Sequence, residues 1–281
     1  MDDDCISLSE YLGVLPEHFE RWPLENYYKG VHVKRIVRAK WKVAQEAFQE
    51  SFHVIATHPQ IIRFTGDENS QYDTFGENIN RTITASAVVS PHLNSSPGEG
   101  EIVADLLTLG GRNKGATNNV DIPEGLTARE YMSGITRKQL EPSAGEDLSH
   151  YTMSECIDSI LYNVFPNFAP WAGINRNIVY RFLPLGDDHL SCTMEVMLLM
   201  RYNQSEPRPP ACEVNELEEH EPFSNATELG GLGAVFDQDM ANIPHLMKGM
   251  KAGKRQQVVL GNYQGGRIRH IHQTLDKYIN S

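Results

Sequence analysis

Two histidines, His53 and His58, stand five residues apart in the stretch 41–59, with the carboxylates Glu46 and Glu50 just before them. Neutral imidazole is the commonest metal-binding side chain, so metal ligation is the first chemistry this stretch suggests. On an ideal helix, positions i and i+5 lie about 140° apart. The two rings can share an ion only if the helix bends or ends between them, and Pro59, directly after His58, marks such an ending. No carboxylate lies between the histidines. The spacing is therefore not the His-Glu-x-x-His of zinc peptidases, in which i and i+4 align and the glutamate is the base. A plain alternative exists: Glu46, Glu50 and His53 fall at i, i+4 and i+7, the spacing of a solvated helix face. Phe48, Phe52 and Ile55 argue for burial instead. Glu50 also sits one turn before His53, where a carboxylate can orient a ligating ring.

The elements that must position these residues read as follows. Residues 31–37 alternate and are β-branched, the pattern of a strand. Apolar residues at Val43, Ala44, Ala47, Phe48, Phe52 and Ile55 predict one helix through the histidine stretch. Residues 61–80 are polar and turn-rich and read as a connection; 81–90 read as a strand. Loops at 91–100 and 110–123 flank a short apolar segment at 102–109. The polar segments 61–80 and 94–125 are long for plain connections, which fits a lid or a surface insertion. Helices are predicted over 127–140 and 146–163. The aromatic and proline cluster at 165–171 follows, with Phe165, Phe168 and Trp171 expected in the core. Residues 177–183 and 190–201 form the clearest hairpin, turning at 184–188. A polar excursion at 203–225 leads to Gly230-Gly231-Leu232-Gly233, a helix over 239–251 and a last helix over 268–279. Short helices are predicted at 7–12 and 16–19. Nothing resembles a linker between two cores, so the expectation is a lead-in at 1–30 and one domain at 31–281.

Composition narrows the function. A net charge of −12 excludes the basic face that nucleic acid or an anionic membrane needs. No apolar run reaches about 18 residues, the length that spans a bilayer. Cys5, Cys156, Cys192 and Cys212 form no Cys-x-x-Cys pair and no disulfide framework, and a reducing cytoplasm fits best.

Taken together, these residues resemble a known family. The run from Trp41 to His53, with Thr57-His58-Pro59, looks like the iron-binding segment of Rieske non-haem iron ring-hydroxylating oxygenases, in the catalytic domain of the α subunit. The pattern is an acidic residue, two residues, His, four residues, His. The segment Gly233–Asn242 looks like the one carrying the third ligand. Its spacing to Asn242 favours Asp239, with Asp237 as runner-up. Phe165-Pro166-Asn167, Trp171, Val179-Tyr180-Arg181-Phe182, Pro184, Gly186-Asp187-Asp188 and Ile268-Arg269-His270 fit the same family.

The resemblance implies an α+β helix-grip (START-like) fold: a curved antiparallel sheet around a long C-terminal helix, with an internal pocket. It implies Fe(II) on His53, His58 and Asp239, the 2-His-1-carboxylate set of non-haem iron oxygenases. The reaction would be O2-dependent hydroxylation of an aromatic or related apolar compound, with Glu46, Ala47, Val54 and Val235 facing the substrate. Glu50 matches the acidic residue that bridges the iron to a Rieske cluster on a neighbouring subunit, although aspartate is more usual there. The four cysteines lack the Cys-x-His and Cys-x-x-His pairs of a [2Fe–2S] Rieske domain. The cluster is therefore expected in a missing domain or a partner, with a homotrimer or mixed oligomer as the assembly. A fragment and a standalone catalytic domain both suit this pattern. A non-catalytic helix-grip binder of a hydrophobic molecule is the competing reading; metal content separates the two.

Overall fold

The computed structural model describes residues 5–109, 119–175, 177–255 and 257–280. Most of the second predicted loop, 110–118, lies outside them. The chain opens with α1 (Leu8–Leu12) and α2 (Leu15–Phe19), then β1 (Tyr27–Val37), α3 (Trp41–Glu46) and α4 (Val54–Thr57). Next come β2 (Thr65–Phe75), β3 (Ile79–Ser86), α5 (Glu99–Leu109), α6 (Ala128–Ala144) and α7 (Met153–Ile157). The second half holds β4 (Ser159–Val164), β5 (Phe168–Ala172), β6 (Ile178–Leu185), β7 (Asp188–Arg201), β8 (Asn215–Leu217), α8 (Gly231–Ala252) and α9 (Gly266–Asn280).

The strands form one sheet in the order β2-β3-β4-β5-β6-β7-β1-β8. Every pairing is antiparallel except β1 with β8. The hairpin β6–β7 pairs Ile178 with Leu198 through to Pro184 with Cys192, and β1 adds to its far side. Two cores form. One gathers Leu15, Phe19, Trp22, Ile102, Met132 and Tyr162 from the N-terminal helices, α5, α6 and β4. The other gathers Val33, Tyr180, Phe182, Met194, Phe236 and Ile243 from β1, β6, β7 and α8. This is the α+β helix-grip arrangement, with one difference from expectation. Among the described residues the longest helix is α8, at 22 residues, whereas C-terminal α9 has 15 and rests on β2 and β3. No described helix is long and apolar enough to cross a membrane.

Three other expectations are corrected. Residues 65–75 are a strand rather than a connection. β2 is a polar edge strand with a bulge between Gly66 and Gln71, so it carries no clean alternation. Residues 146–163 are not one helix. Asp158 ends α7, and β4 is buried at nearly every position, which removes the period-2 signal and mimics helical spacing. The lid reading of 94–125 fails for α5, whose Ile102, Val103 and Leu106 are buried in the first core. The lead-in packs into that core as well, and residue 31 falls inside β1. Its first helix carries a capping box between Ser7 and Glu10.

Candidate metal centre

The histidine stretch is not a continuous helix. Regular bonding stops after Glu46 and resumes only at Val54, so α4 is a single turn with His53 at its N-cap and His58 at its C-cap. Pro59 follows directly, as the sequence requires. The break removes the 140° separation. The two rings stand 5.3 Å apart, centroid to centroid.

Asp239 reaches both rings from α8. Its Oδ1 lies 3.0 Å from His58 Nε2 and 3.7 Å from His53 Nε2. One donor atom from each of the three side chains falls within 4.8 Å of the others, the only such group among the described residues. The far nitrogen of each ring is already engaged. His53 Nδ1 meets Glu50 Oε1 at 2.8 Å, and His58 Nδ1 meets Gln238 Oε1 at 2.8 Å. With Nδ1–H donating, each Nε2 keeps its lone pair for an ion. Burial disfavours charge on His53. The hydrogen bonds and negative charge of Glu50, with Asp239 beyond, nevertheless raise its proton affinity above the usual imidazole value. This environment suits a cation. Two imidazoles and one carboxylate on a cavity wall are a donor set that fits Fe(II).

The local sequence explains the aim of each group. Gly233 lets α8 press against the turn at Phe223–Asn225, since a Cβ there would sit 2.8 Å from Ser224 Cα. On α8, Gln238, Asp239 and Asn242 share the face toward α4, where Asn242 Nδ2 donates to Thr57 Oγ1 at 3.0 Å. Asp237 is about 200° around the helix from Asp239. It instead accepts from the backbone N–H groups of Phe223 and Ser224 at 2.6 and 3.2 Å. The runner-up ligand is therefore a cap for a neighbouring turn.

A cavity of about 510 Å³ opens beside the triad and draws walls from both cores. Val54 and Val235 line it; Glu46 and Ala47 do not. Phe48 is the residue that faces the cavity, packing on Tyr180 and Phe236 at 4.9 and 6.3 Å. Glu46, the last residue of α3, turns to α9, where its Oε1 meets His272 Nε2 at 2.6 Å. Trp171, expected as plain core, stands on the cavity wall, while Phe165 stacks on Tyr278 and Phe168 packs against the first core. Gln238 escaped the sequence reading; its only signal was its place beside Asp239 on the helix.

Residues 17–281 match the family described as ring hydroxylating alpha subunit (catalytic domain). Among solved structures, the quaternary ammonium Rieske monooxygenase CntA in complex with an inhibitor aligns with TM-score 0.56 at 11% identity. That alignment covers 99% of this chain and 57% of the other. A second structure of a quaternary ammonium Rieske monooxygenase, described with carnitine oxidation and inter-subunit electron transfer, aligns with TM-score 0.55 at 9% identity. It covers 99% of this chain and 58% of the other. A naphthalene 1,2-dioxygenase mutant bound to phenanthrene aligns with TM-score 0.55 at 13% identity, over all of this chain and 61% of the other. At such identities the likeness shows the fold, and this chain spans about three fifths of the length of those chains. No curated protein matches the sequence. With the family match running over nearly its whole length, the chain belongs to the ring-hydroxylating α-subunit catalytic domains.

Proposed function

We propose that this chain is the catalytic part of a non-haem Fe(II) oxygenase that hydroxylates an aromatic or related apolar compound with O2. The convergence of His53, His58 and Asp239 on one wall of a largely apolar cavity carries the reading. Iron held there would supply the O2 chemistry. The chain's own residues do the rest. Glu50 and Gln238 fix the tautomers and ring planes of the two histidines. Phe48, Leu161, Trp171, Val235 and Phe236 hold the substrate against the triad and exclude water. A volume near 510 Å³ suits a single small molecule.

Each turnover of such an oxygenase takes two electrons. Glu50 bonds His53 and keeps 18% of its side chain exposed, which supports a role between the triad and an outside electron donor. We assign it the electron entry, facing a Rieske centre on another domain or subunit, and we expect a homotrimer or mixed oligomer. The cysteines are free thiols, which suits a reducing cytoplasm. The family relation favours aromatic hydrocarbon catabolism as the setting.

The test is turnover of the iron-loaded chain on a panel of aromatic hydrocarbons with O2, with and without an added Rieske protein and its reductase. Hydroxylated product in multiple turnovers should require the Rieske protein. Sustained turnover with a generic reductase alone would sink the assignment of Glu50.

A further inference from the structure

The segment between α3 and α4 carries Glu50 and His53 without helical support, so its backbone must be held by other groups. Gln49 N–H still reaches Glu46 O at 3.0 Å, and Ser51 N–H donates to Tyr72 Oη at 3.1 Å. His53 N–H donates to Glu50 Oε2 at 2.9 Å. The carbonyl of Gln49, directly before Glu50, accepts from Arg267 Nη1 at 3.1 Å. Arg267 belongs to the first turn of α9, far along the chain, and it is fully buried.

This arginine is unusual. It makes no ion pair among the described residues; its Nε donates to Asn80 Oδ1 at 2.7 Å and its Nη2 is left without a partner. Both partners belong to a buried amide cluster: Asn80 pairs with Asn163 across β3 and β4, and Gln45, Gln49, Asn80 and Asn163 are all buried. Gln45 Nε2 donates to Asn163 Oδ1 at 2.6 Å, and Asn80 Nδ2 meets His270 Nδ1 at 3.2 Å. Burial holds the guanidinium's proton affinity down, to a value of about 9. A buried cation without a carboxylate is a poor stabiliser, since apolar residues of the same volume commonly serve better. What it provides is a rigid two-pronged donor. One prong is fixed on β3 through Asn80, and the other on the carbonyl that precedes Glu50.

We propose that Arg267 is a positioning residue for the metal centre: from α9 it locks the Gln49 carbonyl and so sets the Glu50–His53 pair. The inference rests on the iron-site reading above. It makes the C-terminal helix part of the centre, although α9 supplies no ligand and does not line the cavity.

The experiment titrates the apo chain with Co(II) and records affinity and the visible ligand-field bands, for wild type, Arg267→Met, Arg267→Lys and His272→Gln. The last removes the tie between α9 and α3 at Glu46 and serves as the control. Arg267→Met should lose roughly tenfold or more in affinity, the usual effect of removing a group that orients a ligand, and its bands should shift. Arg267→Lys, which keeps the charge but not the fork, should fall between, and it decides the matter if Arg267→Met does not fold. His272→Gln should match wild type. Wild-type affinity and spectrum in the folded arginine variants would overturn the inference while leaving the metal site standing. So would an equal loss in His272→Gln, which would reduce Arg267 to a general anchor of α9. A wild-type chain that binds no metal would overturn the functional reading and this inference with it.

Discussion

At the scale of residues, the centre is a matter of which nitrogen of each ring is free. Glu50 and Gln238 each take one Nδ1, and Asp239 waits at the other side. Glu50→Ala should therefore weaken metal binding by about tenfold to a hundredfold and leave the fold intact, as metal titration alongside thermal melting would show. The three candidate ligands came from the family resemblance, whose short patterns pair Glu50 with His53, His58 with Pro59 and Asp239 with Asn242; the fold brings the three side chains together. The preference for Asp239 over Asp237 came from the family's spacing to Asn242, and the two side chains occupy different faces of α8. The cavity wall was harder to read. Glu46 closes α3, and Ala47 and Phe48 fall in the turn beyond it, so helical spacing could not tell that Phe48 is the one facing the cavity. Trp171 lies on a strand whose neighbours on both sides are apolar, so its pattern could not tell core from cavity.

At the scale of elements, α8 and α9 have separate jobs. α8 delivers Asp239 and packs the second core through Phe236, which is 2% exposed and meets Tyr180 and Phe223 edge-on, with Phe48 tilted against it. Phe236→Ala should destabilise the protein by about 3–5 kcal/mol, measured by denaturant unfolding. α9 is tied to α3 by His272 and Glu46. The Glu46 hydrogen bond, acting against burial, raises the proton affinity of His272. A raised folded value means that the stabilisation is complete below the unfolded histidine value of about 6.5. It fades as pH rises through the folded value. Because the pair is partly solvated, screening keeps the effect small. The melting temperature of wild type should exceed that of His272→Gln at mildly acidic pH, and the gap should close at alkaline pH. The hairpin β6–β7 was legible from two long apolar runs around the turn at 184–188, and the helices α6 and α9 from their apolar spacing. β2 and β4 were not: a polar edge strand and a strand buried on nearly every side both lack alternation.

At the scale of the whole molecule, a single sheet carries two cores, and the cavity opens where both supply walls. The triad joins them. His53 and His58 come from the short turn after α3, and Asp239 comes from the helix that caps the second core. This division explains why the fold class could be read from family resemblance but not from periodicity, which describes elements one at a time and says nothing of how they meet. The most direct measurement is iron stoichiometry after anaerobic reconstitution of the full chain. One iron per chain is expected, lost in His53→Ala and in Asp239→Ala variants that still unfold cooperatively. A chain that takes up no iron, or that binds it undiminished after Asp239→Ala, would contradict the assignment of the centre.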